Sequence, residues 1–241
     1  MDIYAIGDLH LPGGADKPMN IFGDRWEGHF ERIAQDWAAH VSERDTVLIP
    51  GDINWAMQLT DALPDLQAIG ALPGKKILLR GNHDYWWSGI SRLRDALPKD
   101  MYAIQNDALL LDGTAFCGTR GWTLPGNGTT AEDEKIYCRE LQRMEMSLER
   151  AMKLHAERLV VMCHYPPLGE NGAPTPLSEL LSRYPVDDVV YGHLHGASLR
   201  SAVNGFAYGM RFHCVSCDGL QFQLLRLPSA KVERNPSPIT E

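Results

Sequence analysis

Most apolar residues of this chain fall in short runs that end abruptly at a polar or glycine-led segment. Runs of aliphatic residues bounded by turn residues predict strands that are buried on both faces of a sheet. The clearest runs cover residues 3–6, 46–49, 77–79, 159–163 and 189–191.

Between these runs the apolar positions follow a helical period. Apolar residues at spacings of three and four predict a helix over 26–41, and a longer stripe predicts one over 131–155. A third helix is expected over 87–97, and Thr175 followed by Pro176 is typical of the beginning of a fourth. Strands that alternate with helices predict an α/β layered fold.

The later half of the chain also contains segments with the pattern of paired hairpin strands. Pairing between such neighbours predicts a second sheet that is mixed or antiparallel. The segments are 107–111 with 114–118, and 206–217 with 220–227.

The length and composition of the chain limit the number of domains it can form. The chain has 241 residues, 44% of them hydrophobic and 22% charged, which suits one large globular domain. We expect that domain to cover 1–227, and the composition from Pro228 onward predicts a flexible tail over 228–241.

No apolar run approaches the roughly 20 residues needed to span a bilayer, and the first residues lack the pattern of an export signal. Five cysteines, an odd number, favour a cytoplasmic location over a disulfide framework.

Polar side chains that can bind metals follow the predicted strands. Asp8, Asp52, Asn82, His164 and His193 each come one to three positions after the last apolar residue of a run. Ligands of open α/β sheets bind in the crevice beyond the carboxyl ends of the strands. The spacing therefore predicts that five separate segments bring these side chains to one edge.

Two of the surrounding motifs are rare. The composition predicts about 0.03 chance occurrences of Gly-His-x-His, found at 192–195, and about 0.002 of Gly-Asn-His-Asp, found at 81–84. Carboxylate, amide and imidazole ligands suit Mn, Fe, Zn or Ni, whereas a structural zinc site would use cysteines. A shared carboxylate places two cations about 3.5–4 Å apart, where they can activate one hydroxide for in-line displacement at phosphorus. We therefore expect two divalent ions, with Mn favoured.

The ordered motifs resemble those of the calcineurin-like metallophosphoesterase superfamily, and they extend over most of the chain. They are Asp8-x-His10, Gly51-Asp52, Gly81-Asn82-His83-Asp84, His164 and Gly192-His193-x-His195. Segments 81–87 and 118–122 are similar to a bacterial branch described as predicted phosphohydrolases. The resemblance implies a four-layer α/β sandwich, in which α-helices flank two mixed β-sheets.

The resemblance also implies roles for individual residues. Two sets of four metal ligands would share the carboxylate of Asp52. The sets are Asp8, His10, Asp52 and His195, and Asp52, Asn82, His164 and His193. His83 would protonate the leaving group or stabilise the transition state, and Asp84 would orient its ring. The residues alone leave open a structural His83 and an Asp84 that caps the helix over 87–97.

Other residues near the motifs are candidates for substrate contacts. Arg120 is expected to bind phosphate because a guanidinium holds two phosphoryl oxygens at once, although a surface ion pair is the alternative. Trp55, Trp122 and Tyr165 could stack on a base or sugar, or pack in the core. Two loops rich in Gly and Pro, 11–25 and 123–134, are expected to form walls or a lid.

Together these features predict a dimetal phosphoesterase that hydrolyses a small phosphodiester or phosphomonoester. The attacking species would be a hydroxide that bridges the metals, and no covalent phospho-enzyme would form. A dimetal nuclease is the alternative, but the net charge of −8 and the lack of a basic stripe disfavour general nucleic-acid binding. A non-catalytic scaffold that binds a partner protein would be expected to lack some of these ligands. The oligomeric state is left open.

Overall fold

The aliphatic runs form the central strands of two β-sheets. The computed structural model describes residues 1–14, 19–87, 89–126 and 128–232. The strands of the first sheet are β1 (Ile3–Ala5), β2 (Thr46–Ile49), β3 (Lys75–Leu79), β4 (Met101–Ile104) and β11 (Leu225–Arg226). Their order is β11-β1-β2-β3-β4. β1 to β4 are parallel, and β11 is antiparallel to β1.

The second sheet has six strands in the order β5-β6-β7-β8-β10-β9. They are β5 (Ala108–Leu111), β6 (Thr114–Gly118), β7 (Arg158–Met162), β8 (Asp188–Tyr191), β9 (Gly205–Ala207) and β10 (Met210–Cys214). The four inner strands are parallel, and both edge strands are antiparallel to their neighbours. Both sheets are therefore mixed, as the resemblance implies.

Five α-helices cover the outer faces of the sheets. They are α1 (His29–His40), α2 (Leu59–Gly70), α3 (Ile90–Ala96), α4 (Ala131–Met152) and α5 (Pro176–Ser182). The first three pack on the first sheet, and α4 and α5 pack on the second. Thr175 accepts a hydrogen bond from Ser178 N–H at 3.1 Å, so α5 begins where the sequence predicts.

Three apolar layers hold this arrangement together. Alternate residues of the strands point inward, so that Ile3 and Ile77 of the first sheet meet Phe116 and Val160 of the second in one buried cluster. The opposite strand faces form two further clusters with the helices. The result is the expected four-layer sandwich of helices, sheet, sheet and helices.

The pairing of one predicted strand was wrong. We expected 206–217 and 220–227 to form a hairpin, but Leu225–Arg226 pairs with β1 in the other sheet. The hairpin in this region lies earlier and joins β9 to β10. Strand partners are chosen by long-range packing, and the polarity pattern of a two-residue strand does not specify its partner.

Other predicted elements differ mainly at their ends. The helix expected over 26–41 begins at His29, after a short 3-10 turn, and the helix expected over 87–97 begins at Ile90. The helix predicted over 131–155 ends at Met152. α2 and β4 were missed, and Pro64 inside α2 is a reason to discount a helix from sequence alone.

The predicted tail is only partly covered by the described residues. Val232 is buried, and its N–H donates to Asp187 Oδ1 at 3.0 Å. Residues 233–241 lie outside the described part of the chain. All five cysteines are described, and they form no disulfide. Among the described residues, no helix combines the length and the apolar character that crossing a membrane requires.

Candidate metal centre

The candidate ligands lie at the carboxyl ends of parallel strands from both sheets. Asp8, Asp52 and Asn82 follow β1, β2 and β3 of the first sheet, and His164 and His193 follow β7 and β8 of the second. His193 N–H donates to both carboxylate oxygens of Asp8 at 3.0 Å. This contact joins the two sheets at the edge that the sequence predicts.

The backbone at these positions is unusual. Asp8, His10, Asp52 and His193 all have positive φ angles, of 58°, 45°, 50° and 74°. Residues other than glycine rarely adopt this region, and such strain concentrates at functional sites. Hydrogen bonds between the loops hold it in place, because His10 N–H donates to Asp52 O at 3.0 Å.

Close approach of the loops also requires glycine at Gly51, which has a φ of 99°. A Cβ there would come within 2.6 Å of Gly81 N and 2.7 Å of His164 Nδ1. The glycines of the motifs therefore provide the space in which the ligands meet.

One group of donor atoms surrounds Asn82 Oδ1. His164 Nε2 and His193 Nδ1 each lie 2.8 Å from this oxygen, and they lie 3.3 Å from one another. Asp52 Oδ2 is 3.5 Å from His164 Nε2. Ligand atoms that share a cation at about 2.1 Å lie about 3.0–3.4 Å apart, and the separations here, from 2.8 to 3.5 Å, are spread around that range.

The protonation of His164 supports this interpretation. Its Nδ1 lies 2.9 Å from the carbonyl oxygen of Pro50, which can only accept, so Nδ1 carries the proton. Burial lowers the pKa of His164, so the ring is neutral and Nε2 is a lone-pair acceptor. That lone pair faces two other acceptors, Asn82 Oδ1 and Asp52 Oδ2. When Asp52 is ionised these acceptors converge, and a cation would satisfy all of them.

The second group contains Asp8, His10, Asp52 and His195. His10 Nε2 lies 3.2 Å from His195 Nε2 and 3.8 Å from Asp52 Oδ2. His195 Nε2 is 3.7 Å from Asp8 Oδ1. Asp52 Oδ2 therefore lies between the two groups, where one carboxylate can serve both. Asp8, His10 and His195 could hold one ion, and Asp8, Asp52 and His164 also converge.

Electrostatics of the site favour added positive charge. Burial, followed by the charge of Asp8, raises the pKa of Asp52 to about 8. Burial also lowers the pKa of His10 to about 3 and that of His193 to about 4, so both rings are neutral ligands at pH 7. Cations bound here would keep Asp52 ionised, and the neutral imidazoles of His10 and His193 have lone pairs to offer them.

Asp218 takes part in the site although the sequence analysis missed it. Its Oδ1 lies 2.9 Å from His195 Nδ1, and its Oδ2 accepts from Arg25 at 2.6 Å and from Gly196 N–H at 3.0 Å. Burial acts to lower the pKa of His195, but hydrogen bonds with Asp218 and Asp8 outweigh it and raise the pKa to about 10. The residues around Asp218 are typical of a turn and carry no metal motif.

Replacement of Asp218 tests this orienting contact. A carboxylate that holds the outer nitrogen of a ligating histidine fixes the ring and raises its basicity. We expect Asp218→Asn to weaken metal binding about 10–100-fold, as measured by titration with Mn. Asp61→Asn, on the exposed surface of α2, is the matched control. Equal metal affinities in the two variants would contradict this role.

His83 borders the site, with its side chain 34% exposed. Its backbone N–H donates to Asp52 Oδ1 at 2.8 Å, and its ring Nε2 lies 3.9 Å from Asp52 Oδ2. The ring packs against Trp55, with centroids 4.4 Å apart. His83 is therefore held beside the ligands while its ring reaches the adjoining cavity.

Asp84 is buried and accepts hydrogen bonds from the two loops beside it. Its carboxylate accepts from Gly81 N–H at 2.7 Å, from Ile53 N–H at 2.8 Å and from Trp86 Nε1 at 3.2 Å. These bonds join the loops after β2 and β3. Burial, followed by Asp52, raises the pKa of Asp84 to about 6. The helix that it might have capped begins later, at Ile90.

Cavities border the site. One of about 350 Å³ is lined by Trp55, His10, His83 and His195, together with Phe22 and Arg25 of the predicted loop 11–25. Residues 15–18 of that loop lie outside the described part of the chain.

A second cavity, of about 340 Å³, is lined by His193, Trp122 and Tyr165. The Tyr165 ring packs on His193, with centroids 4.2 Å apart. Thr123 and Leu124 of the predicted loop 123–134 also line it. Residue 127 lies outside the described residues, and α4 begins at Ala131, within the predicted loop.

Arg120 lies apart from these cavities. Its guanidinium stacks on Trp122, 4.5 Å from the ring centroid, and lines a separate cavity that contains no candidate metal ligand, all seven being described. Trp86 and Trp87 are buried in the core.

Comparison with known proteins agrees with the fold. A family model of calcineurin-like phosphoesterases matches residues 1–197, and the chain belongs to this family. It is therefore a metal-dependent phosphoric ester hydrolase that uses divalent ions. A search among curated proteins found no match.

Two solved structures share the fold at low identity. The chain is similar to TT1561 of Thermus thermophilus, with a TM-score of 0.59 and 11% identity over 96% of this chain and 99% of that one. The phosphopantetheinyl hydrolase PptH of Mycobacterium tuberculosis gives a TM-score of 0.53 and 15% identity, with 98% of both chains covered. The protein of unknown function AQ665 of Aquifex aeolicus gives a TM-score of 0.48 and 17% identity, with 93% of this chain and 95% of that one covered.

Proposed function

We propose that this protein is a dimetal phosphoesterase that hydrolyses a small phosphodiester or phosphomonoester. The observation that carries the proposal is that two groups of donor atoms both adjoin Asp52 Oδ2, which lies 3.5 Å from His164 Nε2 and 3.8 Å from His10 Nε2. When bound, two divalent ions supply Lewis acidity and lower the pKa of the water that attacks phosphorus. Manganese is favoured because the donors combine carboxylate, amide and imidazole groups.

The residues of the two groups would divide the binding of the ions. Asp52 would contact both ions, and its Oδ1 is held by His83 N–H at 2.8 Å, which fixes the direction of Oδ2. Asp8, His10 and His195 would complete one site, and Asn82, His164 and His193 the other. Asn82 contributes an oxygen without adding charge, which leaves the ions more electrophilic.

His83 is proposed to donate a proton to the leaving-group oxygen. Its ring lies 3.9 Å from Asp52 Oδ2 and lines the 350 Å³ cavity, so a substrate held at the ligands would lie within its reach. Asp84 acts indirectly, since its hydrogen bonds position the loops that carry Asp52 and His83.

The cavities suggest the kind of substrate. A phosphodiester carries two substituents on phosphorus, and two cavities adjoin the candidate ligands: one of about 350 Å³ at His10 and His195, and one of about 340 Å³ at His193. Trp55, Trp122 and Tyr165 offer aromatic surface for a planar or apolar substituent. These dimensions suit a small molecule.

A substrate panel tests the proposal. We expect Mn-dependent turnover of aryl phosphoesters that EDTA abolishes and added Mn restores, with two ions per chain by elemental analysis. Nucleotides, cyclic nucleotides, sugar phosphates and phosphopantetheinyl compounds, the last suggested by the name of the Mycobacterium neighbour, would then define the substrate. Faster turnover of long DNA or RNA with a steep salt dependence would favour a nuclease. Absence of both metal and turnover would favour a scaffold.

A further inference from the structure

Three arginines from separate segments surround a smaller cavity away from the candidate ligands. Its volume is about 140 Å³, and it is lined by Arg80 after β3, Arg120 after β6 and Arg143 of α4. A water occupies about 30 Å³ in the liquid, so the cavity has room for an ion of several non-hydrogen atoms.

The charges that face this cavity are not balanced. Glu140 is the carboxylate among its lining residues, and it already accepts from Arg143 at 2.6 Å and from Gly121 N–H at 3.2 Å. No ion pair within 4.0 Å joins Arg80 or Arg120 to any described residue. One carboxylate therefore faces three guanidinium groups, in a chain whose net charge is −8.

Hydrogen-bond donors also lack acceptors here. Arg80 Nε is buried, with no hydrogen-bond partner among the described residues. Gln105 lines the cavity, and its Oε1 accepts from Trp87 Nε1 at 2.8 Å, which leaves its amide N–H groups as donors. A buried donor such as Arg80 Nε is costly unless an acceptor satisfies it, and Gln105 adds an exposed donor beside it.

We propose that this cavity binds a phosphoryl group, as a tetrahedral oxyanion separate from the one hydrolysed. Guanidinium groups bind phosphoryl oxygens in a bidentate manner, and three of them from different directions suit a tetrahedral anion. Arg120, expected from the sequence to bind the substrate phosphate, would bind this second group instead.

Titration calorimetry with inorganic phosphate tests the inference without reference to activity. Because phosphate also binds metal centres, the titration uses the full-length Asp52→Asn variant alongside the wild-type chain. We expect phosphate binding to persist in Asp52→Asn, and to weaken about tenfold or more when Arg80→Gln or Arg143→Gln is added. No binding in Asp52→Asn, or binding that both arginine replacements leave unchanged, would overturn the inference.

Further variants separate binding from structural damage. Arg139→Gln, on the same helix but outside the cavity, removes the same charge and should leave phosphate binding unchanged. Glu140→Gln removes the opposing charge and should tighten binding severalfold, which a loss of structure would not do. Arg143→Lys keeps a positive charge and should give an intermediate affinity.

The phosphoryl group could come from the free ion or from a larger ligand. A parallel titration with a nucleoside bisphosphate distinguishes them. Binding tighter than that of inorganic phosphate, and sensitive to Arg80→Gln, would identify the phosphoryl group of a larger ligand. Equal or weaker binding would identify the free ion. If neither ligand binds, the inference fails, whatever the outcome of the activity assays.

Discussion

Replacing Asp52 with alanine is expected to abolish turnover and to reduce the number of bound metal ions. Asp52 Oδ2 lies 3.5 Å from His164 Nε2 and 3.8 Å from His10 Nε2, so its loss removes a ligand from both proposed sites. Loss of a residue that only orients a ligand typically lowers metal affinity or activity about 10–100-fold. We expect a larger fall in kcat/KM, of about 10³-fold or more.

Elemental analysis and steady-state kinetics measure the two effects together. Asp61→Ala, an exposed aspartate of α2, is the control, and it should keep both metal content and rate. Circular dichroism shows whether the fold survives, since the variant also loses the hydrogen bond from His83 N–H. Two ions per chain with a normal rate would show that Asp52 does not bridge them.

Replacing His83 with alanine is expected to slow turnover about 10²–10⁴-fold while the metal content is unchanged. The ring of His83 lies beside the ligands but is not one of the proposed donors, and it is partly exposed to the 350 Å³ cavity. The loss should be greatest for substrates with poor leaving groups, because a good leaving group departs without a proton.

A series of aryl phosphoesters with different leaving-group pKa values separates this role from a structural one. A general acid makes the wild-type rate insensitive to the leaving group and the variant rate steeply dependent on it. His155→Ala, at an exposed histidine that lines neither cavity beside the candidate ligands, is the control. An unchanged rate with a poor leaving group would refute the proposed proton transfer.

Much of the fold followed from local patterns. The five aliphatic runs became central strands, and Thr175 with Pro176 marked the beginning of α5 correctly. A strand that is buried on both faces of its sheet is almost continuously apolar. The sequence therefore reveals such a strand without any information on which strands lie beside it. The pairing of Leu225–Arg226 was wrong because so short a strand takes its partner from the surrounding packing.

The site was predictable for a related reason. Parallel strands place all their carboxyl ends at one edge, so residues that follow separate strands are brought together by topology. Asp218 lies outside this rule, because it follows a turn and reaches His195 only through the fold. The partners of Asp84 and Arg120 were also not predictable, because their neighbours in space come from other segments of the chain.

Residue order alone therefore specifies the layered architecture and the set of candidate metal ligands that meet at one edge, since both depend on polarity and chemistry within short segments. The three-dimensional packing decides which side chains orient the ligands and which charges remain unbalanced. Asp218 beside His195, and three arginines facing a single carboxylate, come from segments distant in the chain. No local pattern encodes such neighbours, because their distances are set by the way the two sheets pack.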